Sequence, residues 1–259
     1  MNGYLRIPVT AKTPPEFIVS SKNNGEFFSL FYDMSLLSVV LCYNIHQAAN
    51  RREILNSLEL LKNMPEKYGS QPFFACVHLI APLEPYCFKA DGTKQRFYYS
   101  KNRLSAKEHN EMYLEQVQFI NKELLNVFDS ILSQSKREPV IVLMSDHASR
   151  LNDSFSSPFE VSEKLVLQYY NNLIAIHLPN GILLDKDDLK EMTNVNVFRL
   201  ILNAVFHENH PILEPRYFDG STGTKFTKTW HEVTQDVRPV FEKLSAASLE
   251  NNDSSDQAR

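Results

Sequence analysis

The sequence predicts an α/β domain, a layered and mostly parallel sheet flanked by helices. Three observations carry that expectation. Short apolar runs alternate with segments of helical periodicity along the chain, the order expected of strands and helices packed in layers. The runs Phe73–Ile80, Val140–Met144 and Leu173–Leu178 are continuous rather than alternating, as in strands covered on both faces. With 259 residues, 43% of them hydrophobic, the chain is long enough to bury a substantial core.

Taken in order, residues 1–50 read as an N-terminal loop and helix, with Pro8, Pro14 and Pro15 punctuating the loop. No basic segment followed by an apolar stretch and a small-residue cleavage site opens the chain, so it is read without a signal peptide. The window Phe27–Ile45 approaches bilayer length but contains Asp33, three serines and Asn44, which predicts a buried helix rather than a membrane span. Ile54, Leu55, Leu58 and Leu61 then recur at helical spacing until Pro65 and Gly69 break the pattern. Phe73–Ile80, between Pro72 and Pro82, is the first expected strand. A loop follows, with Asp91-Gly92 as its turn signal.

Ser105 with Glu108 three residues on forms a capping box. The helix it starts carries Tyr113, Val117, Ile120, Leu124, Val127, Phe128 and Ile131 on one face, which is expected to lie on the sheet. Pro139 leads into the second strand, which stops abruptly at Ser145-Asp146-His147. The third strand ends at Pro179-Asn180-Gly181, and a helix from about Asn194 presents Val195, Phe198, Leu202 and Val205 to the core. Residues 51–241 form the expected α/β domain, and the Ser-, Asn- and Asp-rich residues 242–259 a disordered tail.

Composition removes several functions. Lys and Arg number 27 against 31 Asp and Glu, a formal charge of −4, so nucleic acid is not an expected partner. Cys42, Cys76 and Cys87 are odd in number and form no CxxC pair, so they read as small core residues. Seven glycines complete none of the Rossmann, P-loop or nucleophile-elbow patterns.

In an open α/β sheet, ligands gather at the carboxyl ends of the strands, and Asp146 and His147 occupy that place. A carboxylate beside a neutral imidazole suits zinc or manganese, which can polarise an ester oxyanion and lower a nucleophile's pKa. His78 lies within an apolar run and reads as a hydrogen-bonded core residue, while His177, in the same situation on the last strand, is left unassigned between core and metal edge. His207-Glu208-Asn209-His210 has the wrong spacing for a zinc protease, and its place before Pro211 marks a helix end. Asp185, Asp187 and Asp188 lack the glycine and glutamate of a calcium loop and fit the first turn of a short helix. Tyr86, Phe88, Phe97, Tyr98 and Tyr99, interleaved with Lys94, Arg96, Lys101 and Arg103, read as a loop packed on the sheet. The alternative is the rim of an anion pocket.

The stretch Arg52–Leu55 through Glu59–Leu61, then Phe73–Pro82, resembles the segment before the substrate loop of sulfatase-like proteins in the alkaline phosphatase superfamily. Val140–Arg150 resembles that superfamily's strand ending in Asp-His-Gly, and Asn172–Pro179 with Val195–Arg199 its closing strand and helix. The resemblance covers about Arg51 to Val233. It implies an extracytoplasmic or membrane-associated protein that hydrolyses or transfers sulfate or phosphate esters through a covalent intermediate. A divalent ion (zinc, manganese or calcium) would be held by Asp146 and His147, Arg150 would contact the anionic ester, and any membrane anchor would lie upstream of this chain.

Two departures bear on activity. Residues 1–50 show no strand with an acidic ligand and a nucleophile, so the chain resembles a C-terminal portion. The family's Pro-His is Pro82-Leu83 here, and Ala148 replaces a glycine, which matters only where the backbone needs positive φ. The second expectation is therefore a non-catalytic protein that keeps the scaffold for binding.

Overall fold

The computed structural model describes residues 43–96, 104–149, 163–190, 192–224 and 227–244. Arg150, residues 245–259 of the expected tail, residues 1–42 with Cys42, and the aromatic-basic segment 97–103 lie outside the described residues, whereas 242–244, expected in the tail, are helical. The chain divides into two compact units, Met1–Arg137 and Glu138–Arg259.

The first unit is built on two helices, α1 (Tyr43–Tyr68) and α2 (Ala106–Gln134). Helix α1 runs through Pro65, where the sequence predicts a break. A proline in the last turn forfeits only one intrahelical bond near an end that frays anyway, so the helix runs three residues further, to Tyr68. Gly69 N–H donates to the Pro65 carbonyl at 2.9 Å, and a Cβ at Gly69 would stand 2.2 Å from that oxygen, so only glycine fits the closure. Helix α2 begins as its sequence predicts. Glu108 N–H donates to Ser105 Oγ, while the Glu108 carboxylate accepts from Ser105 N–H at 2.9 Å. Three charge-assisted bonds, from the Ser105 backbone and hydroxyl and from Arg96, hold the exposed Glu108 carboxyl below its usual range.

The apolar face of α2 packs on α1, not on a sheet. Ile54 and Leu58 from α1 meet Phe119, Ile120 and Val127 from α2, with Cys87 and Phe88 of the intervening loop sealed between them. Each such side chain contributes about 1.5–3 kcal/mol of burial. Phe88 stacks on Phe119 at 4.3 Å between centroids, and the Arg51 guanidinium caps the other face of Phe88 at 4.7 Å. Gly92 turns the loop at φ +85°, and a Cβ there would stand 2.7 Å from the Phe119 ring.

The second unit holds β1 (Ile141–Met144), α3 (Glu163–Tyr170), β2 (Ile174–His177), α4 (Lys186–Lys190), α5 (Val197–Phe206), β3 (Phe218–Thr224), β4 (Thr227–Glu232) and α6 (234–244). Strands β1 and β2 pair antiparallel, Ile141 with His177 through Met144 with Ile174, and β3 and β4 form a hairpin. The aromatic rings of Tyr170, Tyr217 and Phe241 pack in series, with centroids 5.7 and 5.9 Å apart. Helix α4 starts where the acidic run predicts, with Asp185 Oδ1 accepting from Asp187 N–H at 3.0 Å.

The layered, mostly parallel sheet is therefore not the fold: the described residues contain two small antiparallel two-stranded sheets and are otherwise largely helical. Phe73–Ile80 is irregular, with Phe74 and Cys76 exposed, so Cys76 is no core residue and His78 no core histidine. A continuous apolar run specifies extended chain that gains from burial. It does not specify a partner strand or the direction of pairing.

Helix α5 is also rotated from expectation. Val197, Leu200 and Ile201 are buried, whereas Val195 and Phe198 face solvent. The rotation turns Asn196 and Asn203, seven residues apart, toward the chain that returns after the helix. His207 ends α5 in the left-handed conformation, φ 56°. Asn203 then accepts from His210 N–H at 2.7 Å and donates to its carbonyl at 2.9 Å. Asn196 does the same at Leu213, at 3.0 and 2.7 Å.

Candidate metal centre

β1 is apolar through Met144 and then turns polar in one step, and that step is fastened from three directions. Ser145 N–H donates to the Leu173 carbonyl and Ser145 Oγ accepts from Leu173 N–H, both at 2.9 Å. The Asn194 amide donates to the Ser145 carbonyl at 2.7 Å. Asn172 reaches the Asp146 carbonyl at 3.5 Å. The backbone that presents Asp146 and His147 is thus fixed by both neighbouring segments, as a ligand pair requires.

Asp146 projects into solvent, its side chain 79% exposed, and His147 is 36% exposed. Asp146 Oδ1 accepts from His147 N–H at 3.0 Å. His147 Nδ1 lies 2.7 Å from the Ala148 carbonyl. A carbonyl only accepts, so the neutral ring carries its proton on Nδ1 and keeps the lone pair on Nε2. That nitrogen lies 3.8 Å from Asp146 Oδ1. Oxygen and nitrogen ligands about 2.0–2.2 Å from a shared ion lie no more than about 4.3 Å apart, so the separation permits one divalent cation between the two atoms, at an angle wider than tetrahedral. Ala148 needs no glycine: His207 is the only non-glycine residue at positive φ among the described residues.

The structure brings together Asp146 and His147. Arg150, expected beside the anion, lies outside the described residues. Among the described residues no group of three or more His, Cys, Asp and Glu converges to complete a metal cage. Sequence reasoning missed Asn194, used there only as a helix start. Its Oδ1 is buried and has no hydrogen-bond partner among the described residues, while its amide nitrogen grips the carbonyl beside Asp146. Asn194, three residues before α5 starts at Val197, reads as part of the helix entry, and no local signal separates the two roles.

In the first unit, Leu83 is 56% exposed. Neighbouring Glu84 lies 4.0 Å from His109 Nε2, and the same nitrogen meets the buried Tyr86 hydroxyl at 3.0 Å. Comparison with protein-family models, with curated proteins and with solved structures found no match.

Proposed function

We propose that this chain serves a metal-dependent reaction on sulfate or phosphate esters, hydrolysis or transfer, in which Asp146 and His147 supply two ligands to a divalent cation. The nucleophile and remaining ligands would come from outside the described residues. The observation that supports this reading is the 3.8 Å approach of Asp146 Oδ1 to His147 Nε2 at a fixed strand end, with the imidazole lone pair directed by the Ala148 carbonyl. Asp146 brings the negative charge and His147 a neutral donor, a set that suits zinc or manganese better than calcium. When bound, such an ion would stabilise charge on an ester oxygen. Arg150 would pair with the same anion. The family resemblance adds an extracytoplasmic or membrane-associated setting to the proposal. No helix among the described residues is long and apolar enough to cross a membrane.

The test is metal binding by the full chain, followed by titration calorimetry with zinc or manganese, against the Asp146→Ala, His147→Ala double variant. Saturable binding that falls at least tenfold in the variant is expected. Equal, negligible uptake by both proteins would refute the metal reading. A second reading, a scaffold that binds without turnover, is favoured by Leu83 in place of an imidazole. It predicts no hydrolysis of aryl sulfate or aryl phosphate with metal present, and turnover abolished by Asp146→Ala would overturn it.

A further inference from the structure

A second site lies in the first unit, where α1 meets the loop between the helices. A cavity of about 260 Å³ is lined by Ala48, Arg51, Arg52, Leu55, Asn56 and Lys94. Three of the six carry positive charge and none is acidic. Among the described residues, none of the three cations forms an ion pair. Arg51 is the best-defined of them. Its Nη2 donates to the Gly92 carbonyl at 2.9 Å and its guanidinium carbon sits over the Phe88 ring at 4.7 Å, so the group is held in place without being neutralised. Its Nη1 is buried and has no hydrogen-bond partner among the described residues. A fixed, unneutralised cation beside two exposed cations and an amide, with no carboxylate among them, presents the charge and N–H groups that a tetrahedral oxyanion takes. The volume lies just below the range of ordinary small-molecule pockets, which favours a compact anion over a dinucleotide.

We propose that Arg51, Arg52 and Lys94 form a binding site for a small tetrahedral oxyanion, inorganic phosphate or sulfate or the head of a short monoester. Arg51 supplies the preorganised fork, Arg52 and Lys94 supply charge, and Leu55 and Ala48 floor the cavity for a short apolar substituent. This inference does not rest on the metal reading, because its residues are independent of Asp146 and His147.

The test titrates the full chain with inorganic phosphate, with sulfate and with phenyl phosphate, at constant ionic strength set by chloride and with EDTA present, read by calorimetry. Saturable binding is expected, weakened at least tenfold by the Arg52→Gln, Lys94→Gln double variant, whose ion-free melting temperature should match wild type because both side chains are exposed. Arg51→Lys keeps the charge but loses the fork and should weaken binding too. If it fails to fold, the double variant still decides. Phenyl phosphate binding more tightly than inorganic phosphate identifies the monoester as the better ligand, and equal binding identifies the free ion. Absence of saturable binding, or binding unchanged in the double variant, would overturn the proposal. EDTA keeps that outcome separate from any failure of the metal pair.

Discussion

Gln116 fastens the Pro82–Cys87 loop to α2, and replacing it with leucine tests how much of the first unit depends on that tie. The side chain is fully buried. Its Oε1 accepts from Cys87 N–H at 2.6 Å, and its Nε2 donates to the Pro82 and Leu83 carbonyls, each at 3.1 Å. Gln116→Leu preserves volume, so no cavity cost enters. It leaves the Cys87 N–H, itself fully buried, without an acceptor, at a cost of about 1–3 kcal/mol. Two further bonds worth about 0.5–1.5 kcal/mol each are lost, partly recovered by water at these part-buried carbonyls. The sum is about 3 kcal/mol. With a urea slope of about 2 kcal/mol/M, the midpoint should fall by about 1.5 M. Urea titration followed by far-UV circular dichroism, which reads α1 and α2, measures it. Gln118→Leu, on the exposed face of the same helix, is the control and should shift stability by under about 0.5 kcal/mol. A drop below about 0.5 M for Gln116→Leu, at unchanged slope, would refute the claim that this glutamine holds the loop.

Thiol chemistry and pH give two further tests. Burial pushes the Cys87 thiol up to about 12, whereas Cys76 is exposed, so iodoacetamide at pH 8 should alkylate Cys76 and spare Cys87 until the chain is denatured; peptide mass mapping reads this, and equal labelling in the native state would contradict the packing. Hydrogen bonds from Arg216 and then Thr234 lower the exposed Glu232 carboxyl from 4.5 to about 2. Because the folded value is depressed, the pairing's contribution is complete above the unfolded value of 4.5 and is lost as pH falls toward 2. Carboxyl-carbon NMR should place its midpoint well below that of other glutamates, and Arg216→Met should raise it; a wild-type midpoint in the ordinary range would remove the pairing.

What the sequence shows of this protein follows the range of each interaction. The Ser105–Glu108 cap, the end of β1 at Ser145 and the short helix after Asp185 are local, set by residues a few positions apart, and they stand where the pattern places them. The α2 stripe is equally visible, but a stripe names a buried face and not its partner, which is α1 and the Cys87–Phe88 loop. Sheet direction fails for the same reason: nothing in Val140–Met144 or Leu173–Leu178 encodes antiparallel pairing. Polar residues that work in the interior are the least legible. Gln116 reads as one more glutamine on a helix of Glu, Lys and Gln, and Arg51 as one of a basic pair at a helix surface. Of the candidate metal pair, the strand end was legible and the approach of the two side chains was not, because that depends on Asn194 and Leu173, distant in sequence.

The two asparagines on α5 have a consequence for solvent exchange. One edge of a carboxamide presents a donor and an acceptor side by side, as a peptide group of a paired strand does, so Asn203 and Asn196 stand in for a neighbouring strand at His210 and Leu213. The amide hydrogens of those two residues are thereby shielded although 207–217 is neither helix nor sheet. Deuterium would enter Ile212 quickly and these two slowly, and an alanine at either asparagine, which removes the acceptor, would loosen the one amide it serves and leave the other protected.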